Sequence, residues 1–243
     1  MRLLVTRPEP DAATLADELL ALGHEPVVQP LIEFQPLDFD PAPLKAAGAL
    51  IFTSRNGLRA LQGRIDPGGI AGRPVFCVGG ETERGLRQAG FQTIAAVAET
   101  AEQLAAAIAK TAATGASLVH VTGEHQAFDL AGTLERHGFS IATLRVYEMK
   151  AASAFSGAVL AAFEAGSIGG VILMSPRTAE IFVSLCRQHG LWDRARFLDY
   201  YCLANSVSNR LKPLEPVHVH IAQRPDRASL LGLLPPRGQD RVK

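Results

Sequence analysis

The chain repeats itself at long range, and the repeat constrains its architecture more than any other feature. Leu3-Leu4-Val5-Thr6 runs into a helical stretch closing at Leu22-Gly23, and Leu118-Val119-His120-Val121-Thr122 into another closing at His137-Gly138. Leu15 matches Leu130, Leu19 matches Leu134 and Gly23 matches Gly138, each pair 115 residues apart. Three further pairs follow in the same order. Phe52-Thr53-Ser54-Arg55 corresponds to Leu173-Met174-Ser175-Pro176, Cys77-Val78-Gly79-Gly80 to Cys202-Leu203-Ala204-Asn205, and Val97-Ala98 to Ile221-Ala222. Each half thus carries four strand-then-helix units. A period this long is a duplicated domain, because solenoid units are shorter. Two similar lobes would enclose a cleft, a common place for a small ligand.

The local pattern specifies what each lobe is made of. Leu3–Thr6, Leu50–Thr53, Val75–Val78, Leu118–Thr122, Val171–Met174 and Tyr200–Leu203 are short, nearly all apolar, and followed by small or hydroxylated residues and then a helical period. Apolar runs without alternation suit strands covered on both faces, as in parallel α/β sheets. Gly23 reads as a helix C-cap, Thr100 with Gln103 as a capping box, Ser175-Pro176 as an N-cap followed by Pro at the first helical position, and Asp226 as the last cap. In Val217-His218-Val219-His220-Ile221 apolar residues alternate with His, which predicts a half-exposed strand. Leu31-Ile32-Glu33-Phe34 and Val146-Tyr147-Glu148-Met149 are again 115 residues apart and read as extended crossovers lying side by side. The Pro-rich, charged tail from Pro235 reads as frayed.

Composition removes several classes of function. Lys+Arg and Asp+Glu both number 24 and no basic block occurs, so nucleic acid is not an expected partner. No run of about 18 apolar residues is present, so no membrane span is expected, and the start of the chain has no secretory h-region. Cys77, Cys186 and Cys202 lack metal or redox spacing and read as buried thiols in a reducing, cytoplasmic setting. His218 with His220, and Cys186 with His189, lack further ligands nearby, so no metal site is expected. Gly79-Gly80 lacks the dinucleotide fingerprint, and no P-loop, nucleophile elbow or Ser/His/Asp set is visible.

The chemistry left over sits at strand ends. Thr6, Ser54, Gly79-Gly80, Thr122-Gly123, Ser175 and Asn205-Ser206 all follow apolar runs, at the carboxyl ends where open α/β sheets bind ligands. Helix N-termini there offer free amides and a positive dipole end to anions. Helix capping alone requires the same residue types. Arg7, Arg55 and Arg177 stand beside these ends and can take carboxylates. Tyr147, at a junction between lobes, can donate a hydrogen bond to a leaving group.

Taken in order, Leu4-Val5-Thr6-Arg7-Pro8, Ile51-Phe52-Thr53-Ser54-Arg55-Asn56-Gly57, Val78-Gly79 with Thr82 and Leu86, Val146-Tyr147-Glu148, Met174-Ser175-Pro176-Arg177-Thr178-Ala179, and Ile221-Ala222 with Pro225 resemble the uroporphyrinogen-III synthase family over nearly the whole chain. The resemblance implies two flavodoxin-like three-layer α/β lobes with parallel sheets, joined by a two-stranded linker, the chain crossing between lobes twice. One lobe is then 1–34 plus 150–243 and the other 36–146, with linkers near 33–37 and 146–150. It implies a monomeric, cytoplasmic lyase of tetrapyrrole biosynthesis (haem, sirohaem, chlorophyll, cobalamin) that uses neither cofactor nor metal. Hydroxymethylbilane would lose water and close with its ring D inverted, through a spiro-pyrrolenine, to uroporphyrinogen III. A transient contact with the enzyme that makes hydroxymethylbilane is an implied partner. Tyr147 matches the family tyrosine and takes the catalytic role. Thr6, Arg7, Thr53, Ser54, Arg55, Asn56, Gly79, Thr82, Gly123, Ser175, Arg177, Thr178 and Ser206 are expected to contact substrate. Glu124-His125-Gln126 stands where the family often carries Arg, and Glu83 and Ser208 where it usually carries Ala. The alternative is a non-catalytic tetrapyrrole-binding or sensor protein on the same scaffold.

Overall fold

The computed structural model describes residues 1–113 and 115–236. The end of the tail expected to fray, residues 237–243, lies outside the described residues. Among those described, eleven strands form two sheets: β1 (Arg2–Val5), β2 (Glu25–Val28), β3 (Ile32–Pro36), β4 (Ala49–Phe52), β5 (Val75–Val78), β6 (Ile94–Ala98), β7 (Ser117–Gly123), β8 (Ser140–Ala151), β9 (Gly170–Leu173), β10 (Asp199–Cys202) and β11 (His218–Ile221). The chain divides into two compact units, Met1–Glu33 with Lys150–Lys243, and Phe34–Met149.

In the first unit the strand order is β2-β1-β9-β10-β11, with parallel pairings throughout. Numbered along that unit's own chain this is 2-1-3-4-5, the flavodoxin-like order. In the second unit the order is β8-β7-β4-β5-β6, with β3 added beside β8. The duplicated segments explain both. β1 corresponds to β7, β9 to β4, β10 to β5 and β11 to β6, so the two sheets have one spatial order. Each half of the chain supplies two strands to one unit and three to the other. The second unit is therefore a circular permutation of the first.

Burial on both faces is why the strand runs read as continuously apolar. Leu4, Val171, Tyr200 and Cys202 face one core of the first unit, and Leu3, Val5, Ile172 and Tyr201 the other. Leu50, Phe52, Val119 and Val121 face one core of the second unit, and Ile51, Phe76 and Leu118 the other. Two strands escaped the apolar-run criterion. β2 carries Pro26 at the sheet edge, where a missing N–H is tolerated. β8 is an intermittently buried strand next to the edge, of whose 12 residues the predicted crossover Val146–Met149 covers only one third. The capping residues read from sequence are in place. Thr100 accepts from Gln103 N at 3.2 Å, while the Gln103 side chain returns to Glu99 N rather than to Thr100. Asp226 accepts from Ser229 N at 2.7 Å, and Gly23 closes its helix at φ 82°. β11 is an edge strand as its alternation predicts. His220 stacks on Tyr201 at 4.9 Å and meets Asp199 at 3.0 Å.

The tightest point of the first sheet is Gly170. A Cβ there would lie 2.9 Å from Asp199 O and 3.0 Å from both Leu3 Cδ2 and Tyr201 Cε2. These neighbours belong to β1 and β10, between which β9 is hydrogen-bonded, so they cannot all move aside. Gly170→Ala is expected to destabilise the protein by about 2 kcal/mol, read as a lowered midpoint in urea unfolding. No helix among the described residues is long and apolar enough to cross a membrane.

Candidate active site

The polar residues picked out by sequence collect at the carboxyl ends of the strands in each unit, but the units use them differently. In the second unit, Ser54 leaves β4 in an extended conformation and caps the helix Arg55–Leu61, its Oγ accepting from Asn56 N at 3.2 Å. Tyr147 comes from β8. The β7–β8 register slips by one residue between Thr122 and Gly123, so Gly123 is paired with Tyr147 where uniform pairing would give Val146. A slip of one residue exchanges the faces of a strand. The tyrosine ring consequently lies against Gly123, where a Cβ would sit 2.8 Å from Cε2 and Cζ.

Three contacts hold that ring. Phe34 stacks on it with centroids 5.5 Å apart. The Arg59 guanidinium covers Phe34 in turn, 4.2 Å from its centroid. The Tyr147 hydroxyl is hydrogen-bonded to the Ser54 side chain. Burial raises the phenol pKa above its ordinary value, and the Ser54 bond opposes only part of that. The group is therefore a protonated O–H donor at neutral pH.

A cavity of 240 Å³ opens beside this pair, lined by Thr53, Ser54, His120, Thr122 and Tyr147 and by the loop His125–Phe128. His120 was not singled out by sequence reasoning. The one available signal was a lone polar residue inside the apolar run of β7. It is 1% exposed, and its Nε2 lies 3.0 Å from Thr53 Oγ1. Burial pushes its pKa down to about 4, so the ring is neutral. Gly79 reaches φ 81°, a conformation that suits glycine, and starts the helix Gly80–Gln88 in which Thr82 is buried. Arg55 is exposed on the first turn of its helix, and Asn56 Nδ2 meets Met149 Sδ at 3.6 Å. Glu124, in the place of an expected Arg, has Arg145 at 3.9 Å.

In the first unit most of the corresponding hydroxyls serve the fold. Thr6 is fully buried and donates to Ile172 O at 2.8 Å. Arg7 is ion-paired with Asp11. Ser175 caps the helix Pro176–Gln188, accepting from Thr178 N at 3.1 Å and bonding to the buried Thr178 hydroxyl. Arg177 and Ser206 are exposed at the starts of their helices. A larger cavity, of 560 Å³, is found in this unit beside Arg2, Gly169, Asp199 and His218. It lies at the amino ends of the strands, opposite to where open α/β sheets bind ligands. Its guanidiniums already serve the protein: Arg2 bonds Ser167 Oγ, and Arg194 bonds the carbonyls of Phe163 and Glu164. The three cysteines are buried and free, with thiol pKa values raised by burial, to about 11 for Cys77 and about 12 for Cys202. They are inert core residues.

Two parallel sheets with helices on both faces, one of flavodoxin-like order and the other its permutation, define a two-unit α/β protein with its candidate chemistry at carboxyl strand ends. The family model described as Uroporphyrinogen-III synthase HemD matches residues 13–232. The chain belongs to the uroporphyrinogen-III synthase family. The porphyrin biosynthesis protein HemD of Ruminiclostridium josui is 30% identical over 100 residues, a stretch spanning 37% of this chain and 20% of that protein. Among solved structures, the uroporphyrinogen-III synthetase of Helicobacter pylori superposes with a TM-score of 0.60 at 20% identity, covering 96% of both chains. A mutant uroporphyrinogen III synthase of Thermus thermophilus gives 0.54 at 16% identity, again over 96% of both. At these identities the likeness is one of fold.

Proposed function

We propose that the protein cyclises hydroxymethylbilane, with loss of water and inversion of ring D, to uroporphyrinogen III, as a cytoplasmic enzyme of tetrapyrrole biosynthesis. The observation that carries this reading is the Tyr147 phenol: protonated, half-enclosed by Phe34 and Gly123, and aimed by Ser54, in a chain of this family. The substrate's C–O bond at the hydroxymethyl carbon breaks as the Tyr147 O–H hydrogen-bonds to the departing oxygen. The electron-poor methylene then accepts the substituted α-carbon of ring D, and the resulting spiro-pyrrolenine rearranges and loses a proton. Closure without inversion needs no enzyme. The protein's task is therefore to bias one closure over another, and a hundredfold bias requires about 2.7 kcal/mol of differential barrier. Positioned donors can supply that without a strong acid or base.

Eight carboxylates on the substrate need partners. In this reading Thr53, Ser54, Asn56, Gly79, Thr82 and Gly123 in one unit, and Thr6, Arg7, Ser175, Arg177, Thr178 and Ser206 in the other, supply them through hydroxyls, guanidiniums or adjacent amides. Thr6, Thr82 and Thr178 contribute through backbone only, their side chains being buried. Arg55 joins them as an exposed cation. Handover of the short-lived substrate by transient contact with the enzyme that makes it belongs to the same reading.

The test is to supply freshly generated hydroxymethylbilane, oxidise the products and separate the uroporphyrin isomers. Mostly isomer III is expected; isomer I alone, at the spontaneous rate, refutes the proposal. Tyr147→Phe is expected to lower kcat roughly tenfold with little change in KM, because it removes a donor used mainly in the transition state. The loss stays modest because the hydroxyl departs without help.

A further inference from the structure

We propose that His120 is a positioning residue that directs the hydroxyl proton of Thr53 into the cavity of the second unit, making Thr53 a dedicated donor to an oxygen of the bound ligand. The inference deepens the proposed function and rests on it for the ligand's identity, but not for its geometry. His120 sits on β7 and Thr53 just past the end of the neighbouring strand β4, both lining the same cavity. Their side chains are 3.0 Å apart across 67 residues of sequence. The other ring nitrogen, Nδ1, is buried and has no hydrogen-bond partner among the described residues.

Two neutral tautomers could make the Thr53 bond, and they leave different groups bare. With the proton on Nδ1, Nε2 would accept from the Thr53 O–H, and a buried N–H donor would be orphaned. With the proton on Nε2, Thr53 Oγ1 accepts, and only a lone pair on Nδ1 goes unmet. Orphaned buried N–H groups are the rarer and costlier case, and the neutral histidine side chain itself favours the Nε2–H form. A protonated ring would carry the orphan N–H and a buried charge besides. The neutral Nε2–H form is thus selected. It occupies an acceptor lone pair of Thr53 and leaves the Thr53 proton uncommitted. That proton belongs to a half-buried hydroxyl in the cavity wall, beside the Ser54–Tyr147 pair. A hydroxyl whose oxygen is held by a donor behind it can serve an anionic group only as a donor. That is what a carboxylate or a departing hydroxyl requires.

Three measurements test this. Long-range ¹H–¹⁵N correlation of the histidine rings in the full-length protein at neutral pH should show His120 as the Nε2–H tautomer. His120→Leu, which removes the donor, should weaken kcat/KM for hydroxymethylbilane, and affinity for uroporphyrin III as a stable octacarboxylate probe, by roughly tenfold. His120→Gln, whose amide can reach Thr53 as Nε2 does, should restore both to within about threefold of the parent. Thr53→Val should match His120→Leu, and the double variant should be no worse than either. An Nδ1–H tautomer overturns the proposal, as does a Thr53→Val defect that His120→Leu does not share. The tautomer and Thr53→Val keep the test decisive if His120→Leu fails to fold. A protein that yields only isomer I refutes the proposed reaction instead, and leaves the tautomer and the probe affinities to judge His120.

Discussion

Gly123→Ala is expected to lower the rate of isomer III formation by roughly tenfold, as much as removing the Tyr147 hydroxyl would, because an ångström-sized misplacement is enough to take a catalytic group out of play. The added Cβ would sit 2.8 Å from two ring carbons of Tyr147 and 3.1 Å from its hydroxyl oxygen. A flexible side-chain end could swing away from such a contact, but this ring has little freedom. Phe34 lies against it, and its hydroxyl is tied to Ser54. The relief available is a tilt that breaks the Ser54 bond and moves the donor off its line. The double-mutant cycle is decisive. In a Tyr147→Ala background the space around residue 123 is open, so the Gly123→Ala change should cost nothing further. A full additional loss in that background would mean that Gly123 acts through something other than the tyrosine.

This contact also marks where the sequence stops being informative. The strand ends were legible because each duplicated unit preserves a run of apolar residues closed by a small or hydroxylated one. Such a run needs only local chemistry to recognise. Gly123 and Tyr147 could each be picked out as strand-end and junction residues. Their apposition depends on a one-residue slip between β7 and β8, which no composition or periodicity encodes. β2 was missed because four residues with Pro26 among them carry no strand signal without a partner. β8 was missed because its burial is intermittent, with Leu144, Val146 and Tyr147 covered and most of the strand's other residues exposed. The swap of strands between the two halves follows from the order of matched segments only once the pairings are known, since repetition fits sequential domains equally well. Thr6 shows the converse limit of reading by residue type. At a strand end it has the identity of a ligand-binding hydroxyl, yet its proton goes to the neighbouring strand at Ile172 O.

His120 should impose an acid limit on stability that belongs to this one side chain. In the folded protein burial lowers its pKa to about 4, whereas an unfolded chain protonates histidine near ~6.5. Between those values the unfolded state holds a proton that the folded state refuses, so stability rises with pH there. The stabilising contribution of the neutral ring is complete above pH ~6.5, is lost progressively as pH falls, and is gone below about 4. The whole span corresponds to about 3 kcal/mol, and to about 2 kcal/mol between pH ~7.5 and ~5. Burial alone is the cause of the shift; the other titratable groups lining the cavity are His125 and Tyr147, of which His125 is exposed and Tyr147 stays protonated throughout this range. Urea unfolding of the parent and of His120→Gln at several pH values between ~7.5 and ~4.5 isolates the effect, since all other groups contribute alike to both. The parent should lose about 2 kcal/mol more than the variant on going to pH ~5. Parallel curves for the two would show that the folded protein protonates this ring as readily as the unfolded chain does, and the acid limit assigned to His120 would fall with that result.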